Sequence, residues 1–231
     1  MTAGLRQVVD DAELRRIYDG LLVPSFPASE LVGLSWLLDG VARGRAHVVS
    51  AVADGRPVGA AVTEELVPGA RLLSYLAVAP DQRGTGVGSR LLDSVLEEAR
   101  GDGTRLLLAE VERPDRHAGS AQHGDPAARV RFYARRGARV LDLPYVQAPI
   151  RAGAEPVPGM LLLVLHAEPG VLREGGAAVD GPLVAAAVEE LVGTELDDPW
   201  LTDLRRAARR RVVAAPPASD WRTVAASVER W

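Results

Sequence analysis

The sequence predicts a mixed α+β protein that ends in a helical extension. Three observations carry that expectation. Apolar runs of strand length alternate with segments whose apolar residues recur every three to four positions, as far as about Ala167. A polar, glycine-rich turn, Gly84-Thr85-Gly86-Val87-Gly88, joins an apolar strand to an amphipathic helix. Beyond Pro169 the periodic segments, Pro182 to Val192 and Leu201 to Arg211, have helical spacing.

In chain order, Leu5 to Val9 has the composition of a short strand. Asp10 or Asp11 can cap a helix running through Ile17 and Tyr18, with Leu14 and Ile17 facing inward. Pro24 and Pro27 break the chain. Ser29 is placed to cap a second helix, with Leu31, Leu34, Leu37 and Leu38 as its apolar positions and Gly40 after them. Tyr18, Phe26 and Trp36 lie in this stretch; each suits the core, and each also suits the wall of a substrate site. His47 to Ala53 and Arg56 to Glu64 read as strands, and Asp54-Gly55 between them is a hairpin signal. Val67-Pro68-Gly69 makes the next turn, and Leu72 to Val78 is a strand that Pro80 ends. The helix that follows puts Val87, Leu91, Leu92, Val95, Leu96 and Ala99 on one stripe, with Gly101 placed to stop it.

Thr104 to Glu112 is a further strand, in which Leu106, Leu108, Glu110 and Glu112 share one face. Asp125-Pro126 opens a helix as cap and first residue; Ala127, Val130 and Ala134 form its buried stripe and Gly137 ends it. Ala138 to Leu143 is a strand, Tyr145 to Ile150 an interrupted one, and Met160 to Ala167 the last. Arg113 to Gly124 is a polar insert; without nearby ligands, His117 and His123 read as part of a solvated loop rather than a metal site. In the extension, Trp221 to Val228 is a third helical candidate. Arg205, Arg206, Arg209, Arg210 and Arg211 read as a solvated helix face paired with nearby acids, in preference to an RNA or membrane surface. Leu183, Val184, Val188, Leu191 and Val192 need a surface to cover, on the preceding domain or on a second copy in a homodimer.

Composition narrows the class. An apolar fraction of 47% with only 4% aromatics means a core built from Ala, Val and Leu. With no cysteine, disulfides, thiolate metal sites and a cysteine nucleophile are excluded. A net charge of -4 argues against nucleic acid as the main partner. No run has the length of a membrane span and the first residues lack the basic-then-apolar form of a signal peptide, so the expectation is a cytoplasmic protein with no membrane partner.

The glycine turn has a physical use. The first N–H groups of a helix lack intrahelical partners, and the helix dipole favours negative charge there. Glycines remove the side chains that would hold a phosphate away from those donors. A purely structural turn is the alternative. A P-loop needs Gly-Lys-Ser/Thr, and this chain contains no lysine; the dinucleotide fingerprint needs G-x-G-x-x-G, whereas the spacing here is G-x-G-x-G.

Arg83-Gly84-Thr85-Gly86-Val87-Gly88 resembles the Q/R-x-x-G-x-G/A signature of the GNAT N-acetyltransferase superfamily, and YLAVAPDQRG resembles the strand before that turn. The order of elements is also similar, over about residues 5 to 167. The resemblance implies a GNAT-like central mixed sheet with helices on both faces as residues 1–167, followed by the extension, residues 168–231. It implies acetyl-CoA as acyl donor and no metal. Leu76, Ala77, Val78, Arg83, Gly84, Gly86, Val87, Gly88 and Ser89 would bind the donor, with the strands ending at Val78 and Glu112 splayed to admit its pantetheine. The acceptor it implies is a primary amine, of a small molecule or a peptide N-terminus.

Acetyl transfer needs a neutral nitrogen, a polarised thioester and a proton for the departing thiolate. RFYARRGARV resembles the family helix whose tyrosine protonates that thiolate, which points to Tyr133; a buried core tyrosine is the other reading. The asparagine usual seven residues earlier is Pro126 here. Glu110 in AEVE resembles the glutamate of the L-E-V-R segment in ribosomal-protein N-terminal acetyltransferases, which implies a general base. Glu112, on the same strand face, is the substitute candidate, and either carboxylate could instead hold a cationic acceptor. Trp36 is the candidate acceptor-wall residue. A function of another class stays open, a non-catalytic acyl-CoA-binding module whose tail engages a protein.

Overall fold

The computed structural model describes residues 3–28, 30–120, 124–150, 154–193 and 199–227. Ser29, His123 and Val228, singled out above, lie outside the described residues. The mixed α+β expectation holds. Seven strands form one mostly antiparallel sheet flanked by helices: β1 (Gly4–Val8), β2 (Ala46–Ala53), β3 (Arg56–Val67), β4 (Ala70–Val78), β5 (Leu106–Glu112), β6 (Arg139–Val140) and β7 (Met160–Ala167). Their order across the sheet is β1-β2-β3-β4-β5-β7-β6. The chain divides into two compact units, Met1–Glu65 with Leu72–Asp102, and Leu66–Arg71 with Gly103–Trp231.

In the first unit, Asp10 Oδ1 accepts the Glu13 N–H at 2.9 Å and starts α1 (Asp11–Ile17). The helix does not stop at Pro24. It runs on through a π-helical turn, Tyr18–Leu22, into α2 (Val23–Ser25), where the proline stands in a first turn that needs no N–H from it. The next helix, α3 (Leu34–Ala42), starts at Leu34 behind Gly33 and passes through Gly40 instead of ending there. Gly40 is buried, and a Cβ on it would come 3.0 Å from the Ala46 Cβ, so its smallness serves close packing on β2. Asp54 and Gly55 take φ values of 51° and 74°, the left-handed pair that a tight hairpin between β2 and β3 requires.

Alternation along β2 and β3 gives this part of the sheet two dressed faces. Val48, Ala60 and Val62 join the core formed by Leu14, Ile17, Leu22 and Leu37 from α1, α3 and the π-helical turn. The opposite face carries Gly59, which meets Val87 and Leu91 of α4 (Val87–Gly101). There His47 Nδ1 also lies 2.8 Å from Glu98 Oε1 of the same helix. Gly101 is the last residue of α4; the left-handed residue that turns the chain is Gly103, at φ 83°.

In the second unit β7 lies between β5 and β6 and pairs antiparallel with both. The strand expected over Ala138 to Leu143 is only two residues long, because the backbone beyond it turns to the extension. Val140 N–H donates to the Pro216 carbonyl and Asp142 N–H to that of Ala214, at 2.9 and 2.8 Å. Tyr145 to Ile150 contains no strand among the described residues; Gln147 makes a single bridge to Val157. Helix α5 (Pro126–Ala134) begins as expected, with the Asp125 carboxylate accepting the Ala127 N–H at 2.9 Å. Its buried residues are Pro126, Val130 and Tyr133.

The extension is helical in α6 (Gly181–Val192) and α7 (Pro199–Ala208), and it also carries a small sheet that the sequence did not announce. That sheet joins β8 (Leu172–Arg173), β9 (Ala178–Asp180) and β10 (Val212–Ala214) in the order β10-β9-β8. Leu183, Val184 and Val188 are buried, as the apolar stripe requires. The arginines of α7 and the turn after it meet acids: Arg205 and Arg209 approach Glu189 at 3.1 and 3.8 Å, Arg206 reaches Asp203 at 2.7 Å, and Arg210 lies 4.0 Å from Asp142.

The 113–124 insert is less solvated than its composition suggests. Arg113 is buried. Its guanidinium pairs with Asp115 at 2.9 Å, donates to the Val224 and Ala225 carbonyls at 3.2 and 3.4 Å, and lies 5.3 Å from the Trp221 ring centroid. Ser227 Oγ accepts the Gly159 N–H at 3.0 Å close by in sequence to those carbonyls. His117 Nε2 donates to the Pro158 carbonyl at 2.8 Å, which gives it a structural partner, and no metal-ligating cluster occurs among the described residues. Arg113→Leu leaves the buried Val224 carbonyl without this donor and removes the part-buried contact to the Ala225 carbonyl, so it should destabilise by about 2 kcal/mol in urea denaturation. Arg206→Leu, which removes an exposed pair, should stay within about 0.5 kcal/mol. Equal losses would mean that Arg113 is no anchor.

Candidate functional site

The donor-binding residues expected from the sequence all lie in the first unit. Leu76, Ala77 and Val78 end β4; Ala77 is buried in the core while Leu76 and Val78 are half-buried. Pro80–Gln82 makes one 3-10 turn, after which Gly84 and Gly86 adopt φ 79° and 91°. Only glycine takes those values without strain, so the turn geometry and the residue choice agree. Gly86 is the N-cap of α4 and supplies no side-chain cap, which leaves the N–H groups of Val87, Gly88 and Ser89 to a ligand or to water. A Cβ built on Gly84 or Gly86 meets no protein atom within 4 Å, so the cradle opens outward. The residues therefore fit a pyrophosphate bound by close backbone approach.

Three neighbours tune this turn. Thr85 Oγ1 donates to the Gln82 carbonyl at 2.7 Å, which stiffens the loop. Arg56 reaches Asp81 at 2.7 Å and holds that exposed carboxyl below the usual range, so the one acid in the turn already has a cation. Arg83 is left with a long contact of 3.5 Å from its Nε to the Val78 carbonyl. Gly59 fixes where α4 starts: a Cβ there would stand 2.8 Å from Val87 Cγ1, 2.9 Å from Leu91 Cδ1 and 3.1 Å from the Ala77 carbonyl. The same unit contains Trp36, half-buried against the core cluster. Tyr75 and Tyr18 tie down the neighbouring segment; the Tyr18 hydroxyl donates to the Val32 carbonyl at 2.8 Å, and the Val32 N–H donates to the Tyr75 hydroxyl at 3.0 Å.

The proton-handling candidates lie in the second unit. Glu110 is held by two residues that sequence reading did not select. Tyr145 donates its hydroxyl to Glu110 Oε1 at 2.5 Å and Gln147 donates its amide to Oε2 at 2.9 Å. Burial raises the Glu110 pKa, and the two hydrogen bonds pull it back only in part. Burial and the Glu110 charge together push the Tyr145 hydroxyl well above its ordinary value, so it stays a donor. Each Glu110 oxygen accepts one hydrogen bond, which leaves a lone pair on each for a proton or a water.

Glu112 is placed differently. Arg129 of α5 donates to its Oε2 at 2.8 Å, forming an ion pair that already occupies this carboxylate. Tyr133, one turn after Arg129, is 6% exposed, and burial pushes its pKa up to about 12 against the opposing pull of Arg129. Its ring meets Phe132 edge to face at 5.2 Å, and among the described residues no partner takes its hydroxyl proton. The structure thus joins Glu110 to Tyr145 and Gln147, and Glu112 to Arg129. The missed pair had one signal: a fully buried tyrosine needs a partner for its hydroxyl, and Tyr145 is 1% exposed.

No helix among the described residues is long and apolar enough to cross a membrane. The family model described as Acetyltransferase (GNAT) family matches residues 14–138. No curated protein matches the chain. Among solved structures, a GNAT-family chain from Bacteroides thetaiotaomicron is similar, at 26% identity with a TM-score of 0.57, covering 71% of this chain and 87% of that one. A ribosomal-protein-alanine N-acetyltransferase from Brucella melitensis is similar in fold at 22% identity and a TM-score of 0.51, with 70% and 98% covered. So is a GNAT-like decarboxylase in complex with isobutyryl-CoA, at 18% identity and a TM-score of 0.51, with 71% and 100% covered.

Proposed function

This chain belongs to the GNAT acetyltransferase family, and from that premise we propose that it moves the acetyl group of acetyl-CoA to a primary amine of a small molecule, by direct attack in a ternary complex. The observation that carries this reading is the turn at Gly84 and Gly86, left-handed at both glycines and feeding the uncapped start of α4. The donor's pyrophosphate would take the N–H groups of Val87, Gly88 and Ser89, with Arg83 as a nearby cation and the backbone of Leu76, Ala77 and Val78 facing the pantetheine. Bound acetyl-CoA supplies the activated acyl group. Holding both reactants replaces a bimolecular encounter with an intramolecular one.

Glu110 takes the proton of the amine, directly or through water, because its carboxyl is positioned and its pKa is moved toward the working range. Tyr133 returns a proton to the thiolate. Glu112 serves the site through Arg129, and Trp36 forms part of the acceptor wall. Residues 1–167 carry the transfer chemistry, and 168–231 form the helical extension that follows them.

The test is to incubate the protein with acetyl-CoA and an amine panel that includes peptides with free N-termini, and to follow free thiol and product mass together. An acetylated small amine with matching thiol release is the expected result. Acetylation confined to peptides would replace the small-molecule acceptor. Donor binding without transfer to any amine would leave the acyl-CoA-binding module as the function. Because one fold hosts several chemistries, thiol release alone does not decide; the acetylated product does.

A further inference from the structure

The outer side of α5 and the turn over Ala218–Thr223 line a half-open cleft of about 410 Å³. That volume lies in the range of small-ligand sites. Its floor is apolar, made by Ala127, Val130 and Ala134 at helical spacing together with Trp221, which is 5% exposed. Its remaining walls carry three guanidinium groups, Arg131, Arg135 and Arg222, and no acidic side chain. Arg131 shares its charge with Asp125 at 3.4 Å. Arg135 and Arg222 form no ion pair among the described residues. Arg222 lies 4.2 Å from the Trp221 ring centroid, so it is stacked in place before any ligand arrives.

We propose that this cleft is a second binding site, for a small molecule with a compact apolar or aromatic body and one carboxylate or phosphate group. The apolar body would cover the alanines and the Trp221 edge, and the anion would take Arg135 and Arg222. Guanidinium forks match carboxylate and phosphate oxygens, and an anion placed between Arg135 and Arg222 would meet two cations that no acid of the described residues already pairs. The site is separate from the proton path. At 100° per residue, Tyr133 and Arg129 leave α5 on another side from Ala127, Ala134 and Arg135. It is also independent of the acetyl-transfer reading, since its ligand need not react.

Ligand-observed NMR titration on the full chain tests it, using benzoate and phenyl phosphate as probes and benzamide as the uncharged counterpart. Benzoate or phenyl phosphate should bind in the millimolar range or tighter, and benzamide at least tenfold more weakly. Arg222→Ala and Arg135→Ala should each weaken the anion at least tenfold. Ala134→Leu, which fills the floor without changing charge, should do the same in a protein of unchanged circular dichroism. Preference for phosphate over carboxylate identifies which anion the site takes. The proposal falls if benzamide binds as well as benzoate, if the variants bind like wild type, or if neither anion binds at about 10 mM. Displacement of the probe by saturating CoA would also overturn it, by making the cleft part of the donor site. None of these outcomes depends on acetyl transfer.

Discussion

Gly86→Asp should lower acetyl-CoA affinity by on the order of a hundredfold or more while the protein stays folded. Gly86 has φ 91°, and a non-glycine residue there costs about 1 kcal/mol or more in backbone strain. That loss is tolerable for a domain, and aspartate accepts left-handed geometry better than most residues. The damage to binding is larger. A carboxylate at the N-cap would occupy the very N–H groups that a pyrophosphate uses, and it would repel the phosphates as a like charge. Hydrogen bonds to a charged group contribute about 1.5–3 kcal/mol each, so losing two accounts for the expected drop. Gly86→Asn separates the causes, because it keeps size and conformational tolerance and removes the charge. Calorimetric titration should rank wild type above Asn and Asn above Asp. If a folded Gly86→Asp protein binds the donor as wild type does, the turn is not the pyrophosphate site.

Where the sequence was legible, a long periodic element or a residue with one conformational use made it so. Met160–Ala167 is an unbroken apolar run and proved to be β7 end to end. Asp54-Gly55 and Gly84 to Gly88 were readable because few residues accept left-handed backbone. The small sheet of β8, β9 and β10 was not readable, since strands of two or three residues show no period. Glycine is a poor helix former, so Gly40 looks like a helix stop, yet close packing against Ala46 outweighs propensity there. Tyr145 and Gln147 were hidden by distance, lying 35 and 37 residues from the carboxylate they hold. Arg113 looked like loop surface because its partners, the carbonyls of Val224 and Ala225, are more than a hundred residues away. Local text reports local structure, and buried polar networks are long-range.

Tyr133→Phe and Glu110→Gln should each slow transfer by on the order of a hundredfold, with different pH signatures. The elevated pKa of Glu110 means that wild-type activity falls as pH drops through that raised value, when the base becomes protonated. Glu110→Gln removes this limb, and its defect should be smallest at high pH, where free amine is already populated. The same shift has a stability sign. A carboxyl whose folded pKa exceeds the unfolded value binds more protons when folded, so its contribution is present below about 4.5 and is lost as pH rises through the folded value. Glu110→Gln should therefore gain thermal stability over wild type on going from pH 4 to pH 8, a readout that activity does not enter. Tyr133 obeys other arithmetic. At about 12 its proton stays on the phenol at every working pH, so Tyr133→Phe should depress the rate evenly across the profile. Donation to a solvated thiol of pKa near 8.5 would be uphill by roughly 3.5 units, or about 5 kcal/mol. The acid role thus requires a sulfur that is desolvated as it leaves, because burial raises a thiolate's proton affinity as it raises the phenol's. Free CoA bound to wild type should accordingly titrate its thiol above the solution value, followed by the thiolate absorbance. An unshifted thiol, or full activity in Tyr133→Phe, would take the proton donor away from Tyr133 and leave it to water.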